Sequence, residues 1–206
     1  MNIKIFVKSL LAGLAISLSA AIYLSVENII IGGLLFSIGL LSIYLFDWSL
    51  YTGKACYFVD DVKHYTPIII CTFIGNLIGT VATGYLLRIS GLTYIVEHAV
   101  ESVNHKLDHS QLQYFILAIF CGICMSIAVL GYSKQKDDFG RFIIILLPIT
   151  LFIVAKFEHV VANMFYLSIS NKWSLETVVF LLICALGNLV GCSIIPLCNK
   201  VIKAKS

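Results

Sequence analysis

Six long apolar runs, at about 5–25, 29–46, 67–88, 111–132, 142–168 and 174–198, take up most of this chain and leave only short polar connections. A bilayer core accepts roughly 20 apolar residues per helix, so six such runs consume most of the 206 residues. Charged residues make up 12% of the chain, against about a quarter in a soluble domain. A water-soluble globular fold, a disordered chain, a disulfide scaffold and a nucleic-acid binder are thereby excluded. Residues 1–206 read as a single all-α transmembrane domain with six membrane-crossing helices. The first run, behind Lys4 and Lys8, resembles a signal peptide only superficially: it is too long, and similar runs follow it.

The basic residues divide unevenly between the two ends of these helices. Lys4, Lys8, Lys54, Lys63, Lys134, Lys136, Arg141, Lys200, Lys203 and Lys205 fall on one side, and Arg88, Lys106 and Lys172 on the other. The positive-inside rule then places both termini in the cytoplasm, and the chain in the cytoplasmic (inner) membrane.

An internal repeat is visible. Gly75-Asn76-Leu77-Ile78-Gly79 recurs as Gly187-Asn188-Leu189-Val190-Gly191, an offset of 112, and Gly13-Leu14-Ala15-Ile16-Ser17 echoes Gly122-Ile123-Cys124-Met125-Ser126, an offset of 109. Two halves, about 5–88 and 111–199, with three helices each, make an inverted-topology repeat, which is typical of transporters and channels. The middle run of each half is interrupted, at Asp47-Trp48-Ser49-Leu50-Tyr51-Thr52-Gly53 and at Lys156-Phe157-Glu158-His159. With an offset of 112, Asp47 falls opposite His159. Broken helices at matching positions of a repeat point to a binding site.

Ionisable groups within a bilayer are costly and seldom accidental. Asp47, Lys156, Glu158 and His159 are the candidates, and His159 is the only histidine at membrane depth. Continuous helix here would put Lys156 and His159 on one face and Glu158 on another. His159 fits either an anion or proton path or a hydrogen-bonded link between helices. The seven cysteines, scattered through apolar runs, read as free thiols. Cys121 and Cys124 lack a second ligand pair, and His105 and His109 belong to a solvated amphipathic lead-in to the fourth helix, so no metal site is expected. No phosphate-binding loop or cofactor motif is present, so no cofactor is expected.

Leu146-Leu147-Pro148 followed by Phe157-Glu158-His159-Val160-Val161-Ala162-Asn163-Met164 resembles the fifth-helix signature of the formate–nitrite transporter family. Leu50-Tyr51-Thr52-Gly53, Phe36-Ser37-Ile38-Gly39-Leu40 and both Gly-Asn-Leu-x-Gly motifs resemble its helices 2, 3 and 6. The resemblance implies an aquaporin-like protomer in a homopentamer, passing small monovalent anions such as formate, nitrite or hydrosulfide together with protons. It implies a central histidine, His159, between apolar constrictions of Leu40, Leu50 and Tyr51 on one side and Phe36 and Phe152 on the other. Thr52 and Asn188 would supply hydrogen bonds near it. A bare anion is expensive in a dry apolar ring, so a weak acid would cross the constriction as its neutral conjugate.

Two positions depart from the family pattern. Lys156 stands where a small residue is usual, and Asp47 lies two residues before Ser49, the position usually acidic. A buried Asp47–Lys156 pair pinning the two broken helices is expected, because an unpaired buried charge is so unfavourable; Lys156 facing the pore as an extra anion site is the alternative. A channel for formate or nitrite is the leading reading. A hydrosulfide channel, a water pore, and a membrane enzyme or sensor using Lys156, Glu158 and His159 are the rivals.

Overall fold

The structure is a computed structural model and describes residues 2–204, so Lys205 lies outside the described residues. Nine helices are present among them: α1 (Ile3–Leu24), α2 (Ile29–Leu45), α3 (Tyr51–Ala55), α4 (Val62–Ile89), α5 (Thr93–Leu107), α6 (Gln111–Lys134), α7 (Asp138–Val154), α8 (Val160–Ser170) and α9 (Leu175–Ala204). Four of them, α1, α4, α6 and α9, are long and apolar enough to cross a membrane. Their starts are set by capping side chains that accept from otherwise orphaned backbone N–H groups. Asp61 caps α4, and Ser110 forms a capping box with Gln113 at α6.

The second and fifth apolar runs are not single helices. α2 stops at Leu45 and α3 begins at Tyr51, while α7 stops at Val154 and α8 begins at Val160. Each stop is made the same way. The chain turns through a left-handed residue, Asp47 (φ 51) in one half and Lys156 (φ 55) in the other. The N–H two residues past each helix's final cap then reaches back: Trp48 to the Ile43 carbonyl at 2.8 Å and Phe157 to the Phe152 carbonyl at 2.9 Å. This is a helix-ending left-handed turn, which closes the last carbonyls on themselves.

These turns correct the register of the repeat. Asp47 is equivalent to Lys156, and Leu50, not Asp47, is equivalent to His159. The offset is 109 through the first two helices of each half and becomes 112 only afterwards. The extra length follows the break, where the five residues of α3 correspond to the eleven of α8.

The long helices meet in pairs, α1 with α4 and α6 with α9. The Gly-Asn-Leu-x-Gly motifs make this possible. A methyl group added at Gly122 would sit 2.5 Å from the Asn188 carbonyl oxygen and 2.8 Å from the Cys192 nitrogen. At Gly13, in the other half, the corresponding distance to the Asn76 carbonyl oxygen is also 2.5 Å. Gly191 likewise abuts the Ile119 carbonyl oxygen, and Gly79 that of Leu10. Small residues let helix backbones touch, and in lipid that close packing is what drives association. The seven cysteines are unpaired; Cys198 is exposed and the other six are buried.

Gly122→Ala places a side chain against rigid backbone, so it should destabilise the fold by about 1–3 kcal/mol. Gly53→Ala meets only the Leu50 Cβ, at 3.7 Å, and should be tolerated. Thermal unfolding of the two variants in detergent, followed by size-exclusion chromatography, checks this contrast.

Candidate functional site

The non-helical ends at residues 46–50 and 155–159 leave backbone groups that need partners inside an apolar fold. Two buried asparagines supply them. The Asn76 Oδ1 accepts from the Tyr51 N–H at 2.8 Å, and its Nδ2 donates to the Ser9 and Ser49 carbonyls at 2.8 and 3.0 Å. The Asn188 Oδ1 accepts from the Val160 N–H at 2.9 Å, and its Nδ2 donates to the Ala118 and Glu158 carbonyls, both at 2.8 Å. Ser49 and Glu158 are also tied by their own N–H groups to α1 and α6, at the Lys8 and Leu117 carbonyls. Asn188 was expected to line the pore near the imidazole. Its amide is instead engaged by backbone on either side of His159, so it holds the imidazole's chain in place.

His159 is buried at the N-cap of α8. Its Nδ1 lies 3.2 Å from the Ala162 nitrogen and accepts that N–H. The proton of the neutral ring is therefore on Nε2, which lies 3.1 Å from the Thr52 Oγ1 and donates to it. The Thr52 hydroxyl keeps its own hydrogen for another acceptor. Phe152 stacks on the imidazole, with centroids 5.6 Å apart and planes 15° apart, and Phe36 meets Phe152 edge-on at 6.0 Å. Phe36, Leu40, Leu50, Tyr51 and Phe152 are all buried. The Tyr51 hydroxyl donates to the Ala185 carbonyl at 2.9 Å. Of these apolar side chains, Phe152 touches the imidazole directly and Phe36 reaches it through Phe152.

A cavity of about 460 Å³ opens at the α5 end and reaches His159. Phe152, Lys156, Glu158, Asn163, Lys106 and Tyr166 line it, together with His98, Glu101, His105 and His109. Lys106 Nζ donates to Glu158 Oε2 at 2.7 Å, and the two side chains are 16% and 2% exposed. Asn163 Nδ2 donates to the same carboxylate oxygen at 2.8 Å, while the buried Asn163 Oδ1 has no hydrogen-bond partner among the described residues.

The expected Asp47–Lys156 pair does not form. Asp47 is bonded to Lys8 of α1 and is 82% exposed, and Lys156 is exposed in the cavity wall. Both left-handed turns lie at the protomer surface, so burial does not force the two charges together. The buried ion pair is Lys106–Glu158. The non-helical backbone at 155–159 also removes the helical face on which Lys156 and His159 were grouped. Lys106 was read only as part of a solvated connection. A signal for it exists in the sequence: Ile95, Ala99, Val103 and Lys106 follow helical spacing, and the first three are the buried face of α5.

A family model described as formate/nitrite transporter matches residues 2–201. The chain belongs to this family. It is therefore a multi-pass membrane protein of a channel and transporter family. It is 27% identical over 181 residues to the formate channel FocA of Haemophilus influenzae, covering 78% of this chain and 64% of that relative. To the formate-nitrite transporter of Plasmodium malariae it is 26% identical over 199 residues, covering 85% of this chain and 60% of the relative. The chain thus spans somewhat less than two thirds of the length of these curated relatives. Among solved structures, one described as a pentameric formate channel with formate bound superposes with a TM-score of 0.85 at 22% identity, covering 98% of this chain and 97% of that one. An FNT family ion channel gives 0.81 at 21%, covering 94% and 87%. The fold is shared with both.

Removing one partner of a buried ion pair strands the other charge, at a cost of about 3–5 kcal/mol, while replacing both is far milder. Lys106→Met should therefore lower thermal stability sharply, and the double variant Lys106→Met/Glu158→Gln should recover a large part of the loss. Unfolding of the two singles and the double as a mutant cycle measures it.

Proposed function

We propose that this chain passes small monovalent weak-acid anions, formate or nitrite first among them, across the cytoplasmic (inner) membrane, with proton linkage through His159. In this reading α2 with α3, and α7 with α8, are interrupted spans, and six spans form one channel domain of two inverted halves. Both termini lie in the cytoplasm, on the side richer in lysine and arginine. Five copies assemble, each with its own pore; one structural relative is a pentameric formate channel.

The observation that carries the reading is the cavity that runs from the α5 end to an imidazole stacked on Phe152, which Phe36 meets edge-on. Lys106 and Lys156 in its wall would draw an anion inward. An anion cannot cheaply enter a ring of phenylalanine and leucine, since a buried polar group without a partner costs several kcal/mol and an isolated charge far more. Its conjugate acid can. Thr52, whose hydroxyl accepts from His159, offers a hydrogen to the substrate's oxygen or sulfur. The unpartnered Asn163 Oδ1 is suited to accept from water or from the acid's own proton-bearing atom. Phe36, Leu40, Leu50, Tyr51 and Phe152 form the constrictions.

The enzyme or sensor reading is disfavoured by the cluster's internal pairing. The Glu158 Oε2 is already shared by Lys106 and Asn163, and the relatives are channels and transporters. Hydrosulfide satisfies the same physics as formate and is the rival substrate.

In proteoliposomes, formate or nitrite should cross together with a proton, acidifying the lumen, and flux should rise as external pH falls. The ceiling is roughly tenfold per pH unit, the rate at which the neutral fraction of a weak acid grows. His159→Asn keeps a side-chain acceptor at the α8 N-cap but removes the titratable ring, so this variant should fold and lose the coupled acidification. Unchanged coupling in His159→Asn would remove the histidine from the mechanism. Failure of formate, nitrite and hydrosulfide alike to permeate would remove the anion assignment.

A further inference from the structure

The two halves use the same left-handed turn to end α2 and α7, yet they place opposite charges on it. Asp47 is neutralised by Lys8, which reaches it from α1. Lys156 has no carboxylate within ion-pairing distance among the described residues. A left-handed φ of 55 is ordinarily occupied by Gly or Asn, and lysine gains no partner here to offset the strain. Its side chain lies in the wall of the cavity that leads to His159. The other cavity lysine, Lys106, is committed to Glu158 at 2.7 Å. Of the remaining acidic groups in the wall, Glu101 faces His105 at 3.9 Å, and Glu27 stands on the connection between α1 and α2.

We infer that the Lys156 ammonium, held at the cavity mouth by the left-handed turn, is an outer binding site for one small monovalent anion that loads the pore from the α5 side, with Glu27 opposing it. The inference rests on the anion-channel reading above and adds to it a sidedness. A lysine ammonium is a compact, strongly hydrated point charge, which suits a small hydrated anion that need not yet shed its water. The equivalent turn in the other half carries Asp47, whose charge Lys8 cancels, so the two halves do not offer an anion the same charge. The Lys156 site acts through water, so its influence is set by distance and salt: it holds within a Debye length of about 8 Å at physiological ionic strength and fades above it.

The test is initial formate uptake at low ionic strength, in right-side-out spheroplasts and in inverted vesicles. In the preparation that exposes the α5 side to added formate, Lys156→Gln should raise the half-saturating concentration roughly threefold, the Boltzmann weight of one charge about 6 Å from an anion in water. Lys156→Arg should restore it, Glu27→Gln should lower it, and Lys136→Gln, outside the cavity, should leave it alone. The threefold effect should vanish at high salt. Equal half-saturation for Lys156→Gln and wild type in both preparations, or an equal change in both, overturns the proposal. If wild type passes no anion, the channel reading fails by itself. The site is then read directly from NMR line broadening of labelled formate by the purified protein: weaker broadening with Lys156→Gln, restored by Lys156→Arg, supports the site, and identical broadening in all three overturns it.

Discussion

Broken backbone buried in an apolar interior must be hydrogen-bonded, and in this protein two asparagine side chains meet that requirement. Asn76 and Asn188 each accept from the first N–H of the helix that follows a break and donate to one carbonyl at the break and one on a neighbouring helix. An asparagine amide has an acceptor oxygen and two donor hydrogens, and each break uses one accepted and two donated bonds. The glycines flanking each asparagine are part of the same device. They bring α4 against α1 and α9 against α6 so closely that the amide can reach the neighbouring helix's carbonyl, Ser9 in one half and Ala118 in the other. Close helix packing and an open backbone are thus two consequences of one five-residue motif.

On this shared frame the halves differ where chemistry is concerned. The residue that precedes the restarted helix is Leu50 in one half and His159 in the other. Leucine offers no side-chain cap, whereas the imidazole caps α8 through Nδ1 and turns Nε2 toward Thr52. One residue earlier, Ser49 corresponds to Glu158, and Glu158 brings Lys106 and Asn163 with it. The frame is therefore symmetric in backbone hydrogen bonds and asymmetric in charge. Among the described residues the buried ion pair, Lys106–Glu158, joins α5 to the residue just before the histidine.

Much of this was legible in the sequence, because the features that set it are local. The apolar runs, the repeated Gly-Asn-Leu-x-Gly and the polar interruptions follow from residue type and spacing alone. The register of the two breaks was not, since the offset taken from the third helix of each half does not hold before the break; three residues enter only after it, in the longer α8. The Asp47–Lys156 pair failed for a related reason. The cost of an unpaired charge argues for pairing only if the charge is buried, and whether a turn residue is buried depends on the left-handed backbone that exposes it. Lys106 escaped notice because polar neighbours mask a residue whose helical spacing aligns it with Ile95, Ala99 and Val103.

The location of the Lys106–Glu158 pair gives it a second consequence. Glu158 sits one residue before His159, and without compensation its carboxylate would repel any anion approaching the imidazole. Lys106 cancels that charge and Asn163 occupies part of the same oxygen, so the carboxylate can remain in place to anchor α5 against α8. The acid thus serves the fold, and its pairing keeps the approach to His159 from being negative. A neutral residue at 158 would be gentler to an anion, yet it would leave Lys106 without its carboxylate and α5 without its ionic tie to α8, with the His98 bond to the Leu24 carbonyl remaining.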